Sequence, residues 1–136
     1  VLPQLGTVLF CHATPRNDTE IFTRTTPADR LLPVFAGVDA SVVICGHTHM
    51  QFDRTVGSIR VVNAGSVGMS FSGVGAFWLL LGPGVELRHT AYDREDAARR
   101  IRHSSYPGAD EFAARNVLTT PTEEDTLALL GRSELR

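Results

Sequence analysis

The chain has 136 residues, of which 43% are hydrophobic and 21% are charged, a composition typical of one globular domain and not of a disordered segment. Its formal net charge of -2 argues against a basic patch for nucleic acids. No apolar run approaches the ~20 residues of a membrane span. Cys11 and Cys45 follow apolar segments and are interpreted as reduced packing residues of a cytoplasmic protein.

The first predicted strand covers residues 7–11, an apolar run that ends at His12. A helix is predicted after it, with Thr26 as its N-terminal cap and Gly37 as its C-terminal stop. Pro33 lies inside this segment and predicts a bend or a break into two short helices, because proline removes a backbone hydrogen bond.

The second predicted strand, residues 41–45, ends at Gly46 and is followed by His47 and His49. Strand, helix and strand form a βαβ unit, whose two strands are parallel neighbours. Because parallel strands end at the same edge of a sheet, His12, His47 and His49 are predicted to converge there. Neutral imidazole is the commonest metal ligand among side chains, so this edge is a candidate metal centre. A His-x-His pair alone would be better explained as ordinary polar loop residues.

Two β-hairpins are predicted to follow. Alternating patterns around glycine-containing turns indicate them. Their strands cover residues 51–56 and 59–63 in the first hairpin, and residues 76–81 and 85–90 in the second. Trp78 is expected in the core, whereas His89 is expected to be structural or exposed.

The loop over residues 63–68 is rich in glycine but lacks the spacing of a phosphate-binding P-loop. Two interpretations stay open for Gly65 and Gly68: a tight connection between strands, or a close approach of the backbone to a ligand. Further on, Asp93 is predicted to cap a helix, and residues 107–116 to form another. A capping box over residues 120–123 predicts the last helix.

Three motifs together resemble the calcineurin-like metallophosphoesterase superfamily, in its branch of small bacterial phosphodiesterase-like proteins. The motifs are Phe10-Cys11-His12-Ala13-Thr14-Pro15, Cys45-Gly46-His47-Thr48-His49 and Asn63-Ala64-Gly65-Ser66. The resemblance implies an α/β (α+β) fold, in which a β-sandwich is flanked by helices.

The resemblance also implies a dinuclear metal site that hydrolyses a small phosphate ester. His12 and His47 would bind one divalent ion and His49 the other, and all three would be catalytic through these metals. Such a pair of ions activates a water molecule and clamps the phosphoryl oxygens. Mn, Fe, Zn and Ni all suit the implied nitrogen and oxygen ligands.

The chain departs from the family in one large respect, since the Asp-x-His, Gly-Asp and Gly-Asn motifs do not precede His12. Residues 1–92 are therefore interpreted as the C-terminal half of a metallophosphoesterase domain whose N-terminal half is absent. Residues 93–136 are interpreted as a helical extension that packs on the same domain. This fragment alone is expected to be a poor catalyst and marginally stable or oligomeric.

Two other functions stay open. The chain could be a non-catalytic scaffold with a phosphoesterase-like fold, as in the retromer's member of the superfamily, although a scaffold has no chemical need for His12, His47 and His49. It could also be a mononuclear metal-binding domain with three histidine ligands.

Overall fold

The structure, a computed structural model, describes residues 1–135. A four-stranded sheet lies at its centre and has the strand order β1-β2-β4-β3. Its strands are β1 (Val8–Phe10), β2 (Val42–Cys45), β3 (Phe52–Val56) and β4 (Ile59–Asn63). β2 pairs in parallel with β1 and with β4, whereas β3 and β4 form an antiparallel hairpin. The parallel βαβ unit and the first hairpin are thus present as predicted.

β2 and β4 are the two inner strands of the sheet, and β2 is the more buried of them. All four of its residues are buried, as expected for a β-branched strand covered on both faces. β1 is instead an edge strand, and Phe10 at its end is 62% exposed. Within residues 1–135, β2 therefore lies inside the sheet and β1 leaves an open edge.

Helix α1 (Ala28–Phe35) connects β1 to β2 and contributes Leu31, Val34 and Phe35 to the main core. Phe22 packs edge to face against Phe35 and Phe52, with ring centroids 5.8 and 5.6 Å apart. Such aromatic contacts add about 1 kcal/mol each beyond their buried area. The core thus joins the helix to the sheet.

Two details of α1 differ from the prediction. Pro33 neither breaks nor splits the helix, which continues through it to Phe35. Thr26 does not cap the helix; its hydroxyl donates to Glu134 Oε1 at 2.6 Å and accepts from the backbone N–H of Thr23 at 2.8 Å. A partner more than a hundred residues away has therefore replaced the local cap.

The second hairpin, β5 (Ala76–Leu81) and β6 (Val85–Thr90), is also present as predicted. Trp78 is not in the core, because this two-stranded sheet leaves one face uncovered. Trp78 is 37% exposed, and Leu80, two residues further along the same face, is 39% exposed. The Trp78 indole N–H donates to Thr90 Oγ1 at 3.0 Å across the hairpin. His89 is exposed, as expected.

The C-terminal third is helical. It contains α2 (Arg94–Arg102), α3 (Ala109–Phe112), a π-helical segment (Ala113–Leu118) and α4 (Glu123–Gly131). Asp93 caps α2 as predicted, by accepting from Asp96 N at 3.0 Å. The cap of α4 is Thr122 and not Thr120, since the Thr122 side chain accepts from Asp125 N. In the described part of the chain, no helix is long and apolar enough to cross a membrane.

One buried cluster joins the C-terminal helices to each other, and one hydrogen bond joins the end of the chain to an earlier loop. Ala98, Ala113 and Val117 form a second buried cluster between α2 and the π-helical segment. Near the end of the chain, Leu135 N donates to Ile21 O at 2.9 Å. This bond and the contacts of Glu134 hold the last residues against the loop that follows His12.

Candidate active site

His12 and His47 are brought into contact by the ends of β1 and β2. Pairing continues past the strands, since Cys11 N donates to Ile44 O at 3.1 Å and Gly46 N donates to His12 O at 2.9 Å. The two imidazoles then meet at an angle of 66°, with His12 Nε2 and His47 Nδ1 only 3.0 Å apart.

The loop with the two histidines has an uncommon backbone conformation. His47 has φ of 64° and His49 has φ of 55°. Both values lie in the left-handed region, which residues other than glycine rarely adopt. A bond of 2.7 Å from Thr48 N to Gly46 O closes a three-residue turn around His47. Such strain persists only where surrounding contacts impose it, and it clusters at functional sites.

Asn63, at the end of β4, supplies those contacts. It is fully buried, and its amide nitrogen donates to Gly46 O at 2.5 Å and to Thr48 Oγ1 at 3.0 Å. Its amide oxygen accepts from Gly65 N at 3.0 Å. One side chain therefore braces both the histidine turn and the glycine-rich loop.

His49 is oriented by a different loop. Its Nδ1 lies 3.0 Å from Met69 O, and a carbonyl only accepts, so Nδ1 carries the proton of the neutral ring. Phe71 N donates to His49 O at 2.9 Å and fixes the backbone as well. The lone pair of Nε2 is left available, which is how metal-binding histidines are usually arranged.

All three predicted histidines line one open cleft of about 540 Å³. Phe10, Trp78 and Leu79 form part of the apolar wall of the cleft. Gly65 and Ser66 also line the cleft. The structure therefore places His49 in the same cleft as the His12–His47 pair. Gly65 lets its loop lie close to the second hairpin: it has φ of +84°, and a Cβ there would be 2.9 Å from Phe77 Cβ.

Burial lowers the pKa of His47, and the neighbouring His12 lowers it further. The imidazole is thus held in the neutral form that metal ions bind. Burial also raises the pKa of Cys11, with a smaller contribution from Asp18, and raises that of Cys45 strongly. Both cysteines therefore stay protonated, as packing residues do, and are poor candidates for thiolate ligands.

The donor set fits part of a metal centre. Two nitrogens bound at right angles to one ion, at about 2.1 Å each, lie about 3.0 Å apart, and the His12–His47 distance matches this separation. Within residues 1–135, however, no group of three or more His, Cys, Asp or Glu side chains has the geometry to hold a metal ion. The facing nitrogens of His12 and His47 are thus spaced as two ligands of one ion would be.

The bracing role of Asn63 and the Met69 carbonyl escape sequence reasoning. For Asn63 a signal exists, since asparagine two residues before a glycine often accepts a hydrogen bond from the backbone there. For Met69 there is none, because any residue type offers a carbonyl and the contact spans 20 positions.

Comparison with known proteins identifies a related family. The family model described as the calcineurin-like phosphoesterase superfamily domain matches residues 4–81, more than half of the 136 residues. No curated protein matches the chain.

Two solved structures are similar in fold. A hypothetical protein from Pyrococcus horikoshii OT3 is 18% identical and has a TM-score of 0.66. The match covers 85% of this chain and 48% of the Pyrococcus chain. A metallophosphoesterase from Sphaerobacter thermophilus is 20% identical with a TM-score of 0.57, over 82% of this chain and 57% of its own. This chain thus spans about half the length of these structures. Their likeness confirms the predicted α/β architecture.

Proposed function

Because this chain belongs to the calcineurin-like phosphoesterase superfamily, we propose that it supplies the histidine ligands of a dinuclear metal centre that hydrolyses phosphate esters. The observation that carries the proposal is the convergence of His12 Nε2 and His47 Nδ1 at 3.0 Å in a cleft that also contains His49. Two bound divalent ions would supply an activated water and would clamp the phosphoryl oxygens.

The residues of this chain have distinct roles in that proposal. His12 and His47 would hold one ion through the two facing nitrogens, and His49 would hold the other through Nε2, since its Nδ1–H is bonded to Met69 O. Neutral imidazoles leave the cleft without negative charge of their own, so an anionic phosphate is not repelled. We assign no carboxylate ligands, since within residues 1–135 no group of three or more His, Cys, Asp or Glu side chains could hold a metal ion.

The choice of metal follows from the donor type. Imidazole nitrogens with added oxygen ligands suit Mn, Fe, Zn and Ni, and these are the ions to be tried. We place the protein in the cytoplasm, where Cys11 and Cys45 would stay reduced, as both are free thiols in the structure.

The decisive experiment measures hydrolysis of bis(4-nitrophenyl) phosphate and 4-nitrophenyl phosphate by the full-length natural protein. Activity should disappear with a chelator and return with one of the four metals, and metal analysis should give two ions per chain. Hydrolysis that is insensitive to chelation would contradict the proposal. One bound ion without hydrolysis would favour the mononuclear metal-binding domain, and no metal at all would favour the scaffold.

A further inference from the structure

A second cavity, of about 460 Å³, opens beside His49 on the side away from His12. The loop over residues 66–69 forms one wall, and the C-terminal helices form the other. The side chains that give it its apolar character are Met69, Tyr92, Ala97, Ile101, Phe112 and Val117. Its volume lies within the range typical of small-molecule pockets.

The cavity adjoins the candidate active site. His49, Ser66 and Val67 line both the histidine cleft and this cavity. Two of its polar side chains, His49 and Ser66, lie at the end shared with the cleft, whereas the opposite wall is aliphatic and aromatic, with the Tyr92 hydroxyl as a further polar group. A molecule that crosses from one space to the other therefore needs a polar group near His49 and an apolar body beyond it.

The lining also excludes some ligands. None of the described side chains that line the cavity belongs to Asp, Glu, Lys or Arg. A substrate with further phosphates there would bury negative charge without a cationic partner, which is costly. Tyr92 and Phe112 instead offer rings against which another ring packs favourably.

We propose that this cavity binds an uncharged aromatic group carried by the phosphate ester, while the ester's phosphate lies in the histidine cleft. The proposal rests on the phosphoesterase function proposed above. It assigns a role in substrate selection to α2 and the π-helical segment, which lie outside the region that matches the phosphoesterase family, residues 4–81.

Binding is tested first, without metal and without turnover. Phenol is titrated into the metal-free full-length protein and followed by NMR, with glycerol as a polar probe. Phenol should bind saturably and shift the signals of Tyr92, Ile101 and Val117, whereas glycerol should not. Ala97→Phe fills the cavity and should weaken phenol binding about tenfold or more. Ala28→Phe, the same change on the exposed start of α1, should have no effect.

Selectivity is tested next in the full-length protein, with benzyl phosphate and ethyl phosphate, whose leaving groups are both simple alcohols. The kcat/KM for the benzyl ester should be higher by about tenfold or more, and Ala97→Phe should remove this preference. Equal kcat/KM values, or no phenol binding to the unmodified chain, would overturn the cavity proposal. If phenol binds at these residues but neither these two esters nor the two nitrophenyl esters are hydrolysed, the phosphoesterase function fails and the aromatic site stands.

Discussion

His12 Nε2 and His47 Nδ1 face each other across 3.0 Å, although 35 positions separate them in the chain. The contact depends on the parallel pairing of β1 and β2 and on the bond from Gly46 N to His12 O beyond the strand ends. Two segments that are distant in the chain thus place their ring nitrogens side by side. The distance between the nitrogens therefore depends on the positions of both loops.

Removing one imidazole at a time should remove most of the metal-dependent hydrolysis. His47→Ala and His49→Ala are each expected to lower kcat/KM by at least about 100-fold, since even residues that only support ligands contribute 10–100-fold. His103→Ala, a change at an exposed histidine that ends α2, is the matched control. Cys45→Ser should lower activity far less, because Cys45 packs in the core. Unchanged turnover of His49→Ala would contradict the two-metal site.

Asn63→Asp should weaken metal binding without touching a ligand. The amide nitrogen that donates to Gly46 O and Thr48 Oγ1 becomes an oxygen that cannot donate, so the histidine turn loses its brace. We expect metal affinity to fall about 10–100-fold by calorimetry. Asn17→Asp is the control, since exposed Asn17 uses its side-chain oxygen as an acceptor and aspartate retains that oxygen. Equal metal affinity in both variants would show that the brace is not needed.

Glu20 should stabilise the loop after His12 in a pH-dependent way. It is buried and accepts from Arg16 and from Thr14 Oγ1, and the Arg16 hydrogen bond lowers its pKa. A lowered folded-state pKa means that the stabilisation is present above the unfolded pKa of about 4.3 and is lost as pH falls through the folded value.

Glu20→Gln should therefore lower the free energy of unfolding at pH 7 by about 1 kcal/mol. The gap between the two proteins should close as the pH falls below about 4. Urea denaturation at several pH values measures this difference. A gap that is constant across pH would mean that Glu20 acts through packing and not through its charge.

Phe10 should promote self-association of residues 1–136. It is 62% exposed on the edge strand β1, where unpaired backbone groups and an apolar ring lie together. Phe10→Ser should lower the apparent mass seen by light scattering, whereas Leu32→Ser, at a 50% exposed position on α1, should not. A monomeric parent chain that unfolds cooperatively and binds two metals tightly would contradict the interpretation of residues 1–92 as half of a domain.

Local signals explain which parts of the fold are predictable. Both hairpins follow from alternation around glycine turns, and the parallel pair β1–β2 follows from two apolar runs separated by a helix. The predictions for Trp78 and Thr26 are wrong for a shared reason. Their environments depend on distant parts of the chain: the uncovered face of a two-stranded sheet in one case, and Glu134 in the other.

The candidate site divides in the same way. The three histidines can be predicted as site residues from the sequence, because the ends of the strands are recognisable and imidazole is a common metal ligand. The orientation of His49 cannot, because it depends on the Met69 carbonyl in a loop without periodicity. The second cavity cannot be predicted from the sequence either. Ile101 and Phe112 lie in helices, where apolar residues usually indicate only packing against the core.

Because His47 and His49 have positive φ angles, the residues that would stabilise this loop differ from the residues that the proposed metal site requires. Glycine adopts this conformation without a steric penalty, so His47→Gly or His49→Gly should relieve up to about 1 kcal/mol of strain each. In a random library selected only for heat resistance, glycine should therefore be enriched at both positions. Selection for turnover should restore the imidazoles, and the two regimes would drive the same loop in opposite directions.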